Sequence, residues 1–329
     1  MDELKKVCLI AGGAGFIGVN LANALKEQGN NVVIGDNLSL GSLGNIKKYI
    51  SEAFDDLFEV DLSSSVGVEQ LFEFSIAKFG RVDEVWHLAA NSDIPAGVND
   101  PNVDYKDTFL TTFELLKGCR RYSVRRFNFA SSSAVYGDWG SHPLTENLGP
   151  LKPISNYGAM KLASEAQISA ACESFLDSAC IFRFPNVVGT PATHGVILDF
   201  VRKLVETPDY LNVLGNGSQK KSYLHVSELV DAMIHVSKQI DKTNTTEIVN
   251  IGCDDCGILV SEIAKIVVGL VAPNAEIRFG QGKKGWVGDV PKFSYDVSRL
   301  KSLGWEPKKS SYEAVFLAAQ EISHDLGHS

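Results

Sequence analysis

The sequence predicts an α/β protein: a doubly wound parallel sheet covered by helices, with a smaller C-terminal lobe interleaved with it. Three features carry that expectation. Short apolar runs recur at 7–11, 32–35, 58–60, 85–88, 127–131 and 180–184, and runs apolar at successive positions read as strands buried on both faces. Between most of them the period becomes helical, as with Ile17, Leu21 and Leu25, which are spaced by four and share one face. Strand–helix alternation of this kind builds parallel sheets. After about Gly189 the pattern breaks into a loop rich in Gly, Pro and Thr. Beyond it the sequence predicts a helix over 196–206, a strand over 211–214, an amphipathic helix over 227–239, a buried strand over 247–251 that returns to the sheet, and an amphipathic C-terminal helix. A first domain is expected over 1–188 plus about 225–252, and a second lobe over about 189–224 and 253–329.

With 329 residues, 44% apolar and 22% charged, the chain has the balance of a globular protein of one large or two modest domains. A net charge of −9 weighs against nucleic acid or an anionic membrane as partner. No apolar run reaches the roughly 18 residues of a membrane span. Val7 to Ala11 is too short for a signal-peptide core, so a cytoplasmic location is expected. Six cysteines in this length are not a disulfide framework. Cys253 and Cys256 form one CxxC without a second pair nearby, and no metal site is expected.

The first strand runs into CLIAGGAGFIG at 8–18, which sets Gly12, Gly15 and Gly18, with Phe16 and Ile17, between a strand and a helix. Glycine lets the backbone turn tightly and approach a pyrophosphate, and the helix start offers free N–H groups to the anion. One triplet among 29 glycines is weak alone; its strand–turn–helix setting marks a Rossmann-type cradle. The next strand ends at Asp36, followed by Asn37. An acidic residue there suits adenosine ribose hydroxyls and repels a 2′-phosphate, so NAD is favoured over NADP. Asp61 and Leu62, after the third strand, stand where an adenine edge would lie.

Tyr157 and Lys161 are four residues apart and share a helix face. A phenol of pKa about 10 beside an ammonium is drawn toward the phenolate and can act as a general base. With nine tyrosines, one YxxxK match is close to chance. Its weight comes from Ser131, Ser132 and Ser133 at the end of an apolar strand upstream. A hydroxyl there can hydrogen-bond an oxygen that alternates between alcohol and ketone. His87 and His225 stand in or beside apolar runs and read as packing residues.

Further pieces follow in order: GDNLSLG at 35–41, HLAA at 87–90, SSSAVYG at 131–137, YGAMK at 157–161, RFPNVVG at 183–189, KSYLHV at 221–226, GDVP at 288–291 and LGW at 303–305. With the glycine turn, they resemble the extended short-chain dehydrogenase/reductases, in particular the nucleotide-sugar epimerase/dehydratase branch and its UDP-glucose 4-epimerase-like members. The resemblance spans nearly the whole chain. It implies that Tyr157 is the catalytic base and acid, that Lys161 binds the nicotinamide ribose and tunes Tyr157, and that Ser132 is the catalytic hydroxyl. It implies cofactor contacts for Leu88, Ala89, Ala90 and Phe184. It implies nucleotide-sugar contacts for Ser133, Asn186, Lys221, Trp286 and Asp289, with Asn186 on the diphosphate side. It also implies a homodimer through helices near 103–121 and 157–175. The chain departs from the family at Lys221 and Trp286, where members often carry Arg, and at Thr108, where they often carry Asn.

In the sugar dehydratases of that branch an Asp and a Glu follow the catalytic Thr. Here Ser133 and Ala134 stand there, and neither can protonate a leaving hydroxyl as a carboxylic acid does. The expected activity is therefore NAD-dependent C4 epimerisation of a UDP-hexose or UDP-N-acetylhexosamine through a transient 4-keto sugar. A reductase or dehydrogenase of the same family and a catalytically inactive NAD-binding sensor are the alternatives; the intact Tyr157, Lys161 and Ser132 weigh against the sensor.

Overall fold

The computed structural model describes residues 5–50, 54–140, 142–240, 245–282 and 294–327. Six strands open the chain: β1 (Val7–Ala11), β2 (Asn31–Asp36), β3 (Leu57–Glu59), β4 (Glu84–His87), β5 (Arg126–Ala130) and β6 (Ser178–Arg183). Seven helices accompany them: α1 (Phe16–Glu27), α2 (Leu43–Tyr49), α3 (Ser65–Phe79), α4 (Ile94–Asn99), α5 (Pro101–Asp104), α6 (Thr111–Arg121) and α7 (Asn156–Ser174). All six predicted strands are present, with ends displaced by one or two residues. The strand Thr245–Asn250 does return to the sheet, beside β6.

The sheet order is Thr245–Asn250, β6, β5, β4, β1, β2, β3. β1 to β6 are parallel, with Leu9 opposite both Val33 and Val85. This is the doubly wound order, in which the winding reverses between β1 and β4. Both faces are buried, as the apolar runs required. On one face Leu9, Val33, Val85, Phe127 and Ile181 pack with Leu71, Phe72, Leu115 and Ile168 from α3, α6 and α7. Ile10, Ile34, Trp86 and Phe182 are buried as well, and Trp86 stacks on Phe182 at 6.3 Å.

Helix starts follow their capping residues. Ser64 accepts from the Gly67 amide at the head of α3 at 3.2 Å, and Ser155 from the Gly158 amide at the head of α7 at 3.1 Å. Gly15 precedes α1 and no side chain caps it. Between α5 and α6 the chain forms a π-helical turn, Tyr105–Leu110, so the helix expected near 103–121 is interrupted.

Two compact units divide the chain. The first comprises Met1–Val135, Leu151–Arg183 and Met233–Val249; the second comprises Tyr136–Pro150, Phe184–Ala232 and Asn250–Ser329. The second unit holds three short ladders: Asn186–Val188 with Tyr223–His225, Tyr210–Val213 with Glu276–Phe279, and Lys220–Lys221 with Ile258–Leu259. Its core joins Ile197, Val201, Leu211, Val213, Ile263, Val267, Val315 and Ala318. The helix Val260–Val271 in it was not anticipated. Among the described residues no helix is long and apolar enough to cross a membrane.

α3 and α6 touch where Gly118 leaves room. A Cβ there would lie 2.5 Å from the ring of Phe72, which is fully buried and stacked on Tyr122 at 5.2 Å. The Gly118→Ala variant is expected to lose about 1–3 kcal/mol through overpacking, read as a lower urea midpoint than the parent's.

Candidate active site

β1 delivers the chain into the glycine turn. Gly12 has φ +81°, and a Cβ on it would meet the Ala89 amide nitrogen at 2.5 Å. Only glycine permits that backbone conformation and that approach to the end of β4. A Cβ on Gly18 would meet the Gly12 carbonyl at 2.4 Å, so α1 presses directly on the turn. Gly15 is different: the nearest atom to its missing Cβ is 3.5 Å away. Its bare Cα and the uncapped first turn, which holds Phe16 and Ile17, leave N–H groups available to an anion. Leu88 and Ala89 both donate to the Ala11 carbonyl, at 2.8 and 2.9 Å, which fixes the facing rim as far as Ala90.

Asp36 ends β2 with 6% exposure. One oxygen accepts from the Ala14 amide at 2.9 Å and the other from the Leu38 amide at 2.8 Å. Burial raises its carboxyl above the usual range, against those two bonds. Each oxygen keeps a lone pair, so the residues fit a ribose diol beside a pyrophosphate cradle. Asn37 is exposed and its carbonyl is taken by Ser39. Asp61 is held by Ser63 and, at 3.0 Å, by Lys106, while Leu62 is buried next to it.

The second cluster forms where α7 lies on the end of β5. Tyr157 is half-buried, and the head of α7 that carries it packs on the turn after β5: a Cβ on its neighbour Gly158 would meet the Ala134 carbonyl at 2.4 Å. Ser132 accepts from the Ala134 amide at 3.2 Å, in the short 3₁₀ turn Ser133–Val135. Lys161 is 1% exposed and donates to the Ala130 carbonyl at 2.6 Å. Its ammonium lies 4.6 Å from the Phe129 ring centroid and 5.8 Å from that of Tyr157.

The electrostatics differ from the sequence expectation. Burial pushes the Tyr157 phenol up to about 12; the Ser132 hydroxyl opposes this and the Asp104 carboxylate adds to it. Burial pulls Lys161 down to about 7, against the fields of Glu165 and Asp104. Lys161 is not among the groups that bring the phenol down. Its ammonium is spent on Ala130, and desolvation penalises both charged forms more than either supports the other.

Three residues of this cluster were not singled out from the sequence. Asp104 is fully buried, with one oxygen accepting from the Asn91 amide group at 2.9 Å and the other without a hydrogen-bond partner. Glu165 is paired with Arg183 inside the protein. Glu165 could have been found, because it follows Lys161 by one more step of four; Asp104 carries no such signal. Thr108, in the π turn, accepts from the Asn91 amide at 3.2 Å, and its carbonyl receives the hydroxyls of Thr111, Thr112 and Ser164. His87 bonds Thr112 at 2.9 Å, and His225 bonds Ser227 and Glu321. Among the described residues no group of three metal-binding side chains occurs, and Cys253 and Cys256 are free.

Phe184, Asn186 and Lys221 belong to the second unit. The Asn186 amide donates to the Ser222 carbonyl at 3.4 Å, which sets it beside Lys221, itself 9% exposed. Trp286 and Asp289 lie outside the described residues.

A doubly wound sheet with a glycine turn after its first strand is the frame of dinucleotide-binding proteins. The chain belongs to the NAD dependent epimerase/dehydratase family, whose model matches residues 8–252; NAD is the cofactor of that family. It is 28% identical over 312 residues to the putative UDP-glucose 4-epimerase of Methanocaldococcus jannaschii, covering 93% of this chain and 95% of that one. It is 26% identical over 335 residues to UDP-glucuronic acid decarboxylase 1 of Danio rerio, covering 99% of this chain and 75% of that one. A solved UDP-galactose 4-epimerase superposes with a TM-score of 0.83 at 34% identity, over 97% of this chain and 99% of that one.

The buried lysine gives a pH signature. Its folded-state value near 7 lies below the ordinary 10.5, so between those values the unfolded chain binds more protons and stability rises with pH. Lys161→Met removes that burden. The variant is expected to gain stability relative to the parent at pH 6, and the gain should shrink by pH 9, as measured by urea unfolding of both proteins. A pH-independent difference would contradict a charged, desolvated Lys161.

Proposed function

We propose that this protein is an NAD-dependent 4-epimerase of a UDP-hexose or UDP-N-acetylhexosamine. The observation that carries the reading is the meeting of α7, with Tyr157 and the Lys161–Ala130 hydrogen bond, and the end of β5, where Ser132 is followed by Ser133 and Ala134 rather than by carboxylates. The bound nicotinamide supplies hydride acceptance and return at the sugar C4. Tyr157 takes the C4 hydroxyl proton and gives it back to the 4-keto sugar after the sugar has turned over. Ser132 holds the same oxygen in both states and, by donating to a phenolate, favours the basic form of Tyr157. Lys161 would hold the nicotinamide ribose.

Gly12, Gly15 and Gly18 admit the pyrophosphate, Asp36 the adenosine ribose, and Asp61 and Leu62 the adenine. Leu88, Ala89, Ala90 and Phe184 line the cofactor. Asn186 and Lys221 serve the sugar-nucleotide diphosphate; lysine keeps the charge there but not the two-pronged geometry of arginine. With no carboxylic acid at 133 or 134, nothing at those positions protonates a leaving hydroxyl, which supports epimerisation over dehydration.

The test is incubation of the purified protein, without added cofactor, with UDP-glucose, UDP-N-acetylglucosamine, their galacto counterparts and UDP-glucuronic acid. C4 inversion with no net change in NADH is expected. Release of carbon dioxide from UDP-glucuronic acid, or stoichiometric NADH consumption, would overturn the proposal. Tyr157→Phe should lower turnover by about 10²- to 10⁴-fold, the usual worth of a positioned proton-transfer group, while the protein still retains NAD.

A further inference from the structure

Two consecutive residues at the end of β5, Ala130 and Ser131, are each gripped by a residue on a single face of α7, and Ser132 follows them directly. The Ala130 carbonyl accepts from Lys161 at 2.6 Å. The Ser131 hydroxyl donates to the Glu165 carboxylate. The turn that follows Ser132 packs on the head of α7 beside Tyr157, where a Cβ on Gly158 would lie 2.4 Å from the Ala134 carbonyl. Residues 157, 161 and 165 follow one another at steps of four, so they form one line along the helix.

The Ser131 contact takes no part in the chemistry proposed above, yet it is the most elaborately held. Ser131, Glu165 and Arg183 are 1%, 4% and 3% exposed. Arg183, at the end of β6, embraces the carboxylate with two bonds, Nε to Oε1 at 3.0 Å and Nη2 to Oε2 at 2.6 Å. The Ser131 amide donates to the Phe182 carbonyl at 2.8 Å, which ties the same residue to β6. Desolvating such a pair is costly, and well-packed apolar residues of similar volume commonly stabilise as much or more. What an apolar contact lacks is register, since it allows a helix to slide or rotate by a fraction of an ångström. A bidentate pair with a third hydrogen bond to Ser131 does not.

We infer that Glu165, clamped by Arg183 and acting through Ser131, is a positioning residue: it sets the register of α7 on the end of β5 and so holds the Ser132 hydroxyl against Tyr157. This rests on the roles proposed above for Ser132 and Tyr157.

The experiment uses the full chain with its retained cofactor and a substrate the parent turns over. Ser131→Ala removes one hydroxyl and leaves the Glu165–Arg183 pair intact, whereas Glu165→Gln would strand a buried guanidinium. Ser131→Ala is expected to lower kcat about tenfold with KM held within about twofold, as loss of an alignment needed only in the transition state requires. The acidic limb of kcat against pH should move upward, because a displaced Ser132 supports the phenolate less. Ser131→Thr, which keeps the hydroxyl, should restore both. Should the alanine variant fail to fold, Ser131→Cys, of similar size and a weaker donor, carries the same expectation. Parent-like kcat and pH profile in the Ala or Cys variant, even with a lower melting temperature, would overturn the positioning role. Tyr157→Phe separates the two claims. If it retains parent turnover, the catalytic reading itself fails; if it is inactive while Ser131→Ala is unimpaired, only the positioning fails.

Discussion

β1 and β4 lie side by side, with Leu9 against Val85 and Ala11 against His87, although two strand–helix units separate them in the chain. β2 and β3 extend the sheet in one direction, β5 and β6 in the other. When winding reverses at such a pair, the connections that follow the two strands leave in opposite directions, and a crevice remains beyond their carboxyl ends. The rest of the site depends on that geometry. The glycine turn after β1 and the Leu88–Ala90 rim after β4 face each other only because their strands are neighbours, and Gly12 is confined to glycine because the rim comes so near. β5, one strand further along, then brings Ala130, Ser131 and Ser132 to the same end of the sheet, where α7 meets them.

Burial gives this cluster its character. Water would support both a phenolate and an ammonium; the protein withdraws most of it. Burial thus raises the Tyr157 phenol and lowers the Lys161 ammonium, and each charged form leans on a fixed partner. Ser132 is that partner for Tyr157, and Glu165 and Asp104 are for Lys161. Asp104 acts on both, opposing the phenolate while supporting the ammonium. Preorganised dipoles of this kind cost no reorientation when charge appears.

The central strands of the sheet were legible in the sequence because two-sided burial writes itself as apolar runs, as in β1; β3, at the edge, is only half-buried. The glycine turn and Asp36 were legible because their spacing is dictated by covalent geometry within one strand–turn–helix unit. Asp104 and Arg183 were not, because a charge alone does not say whether it faces water or a buried partner; that is decided by Asn91 for one and by Glu165 on α7 for the other. The lysine's own hydrogen-bond partner was hidden for a related reason. Spacing gives the shared helix face, but the acceptor that takes the ammonium, the Ala130 carbonyl, lies on another element. The π turn left no mark at all, since one surplus residue within a helix changes neither composition nor polarity.

That turn, Tyr105–Leu110, is a phase slip. A wider ring closes every i to i+5, so the residues before it and after it belong to two helical screws offset by about one residue, or roughly 100° of rotation. Asp104 can thus point inward on the first screw while Thr112, Leu115 and Cys119 point inward on the second. Comparisons that treat 101–121 as one continuous helix will misassign which positions face the interior on one side of the slip. A chain regularised by deleting the surplus residue would keep its helix and lose the alignment between the two buried stripes.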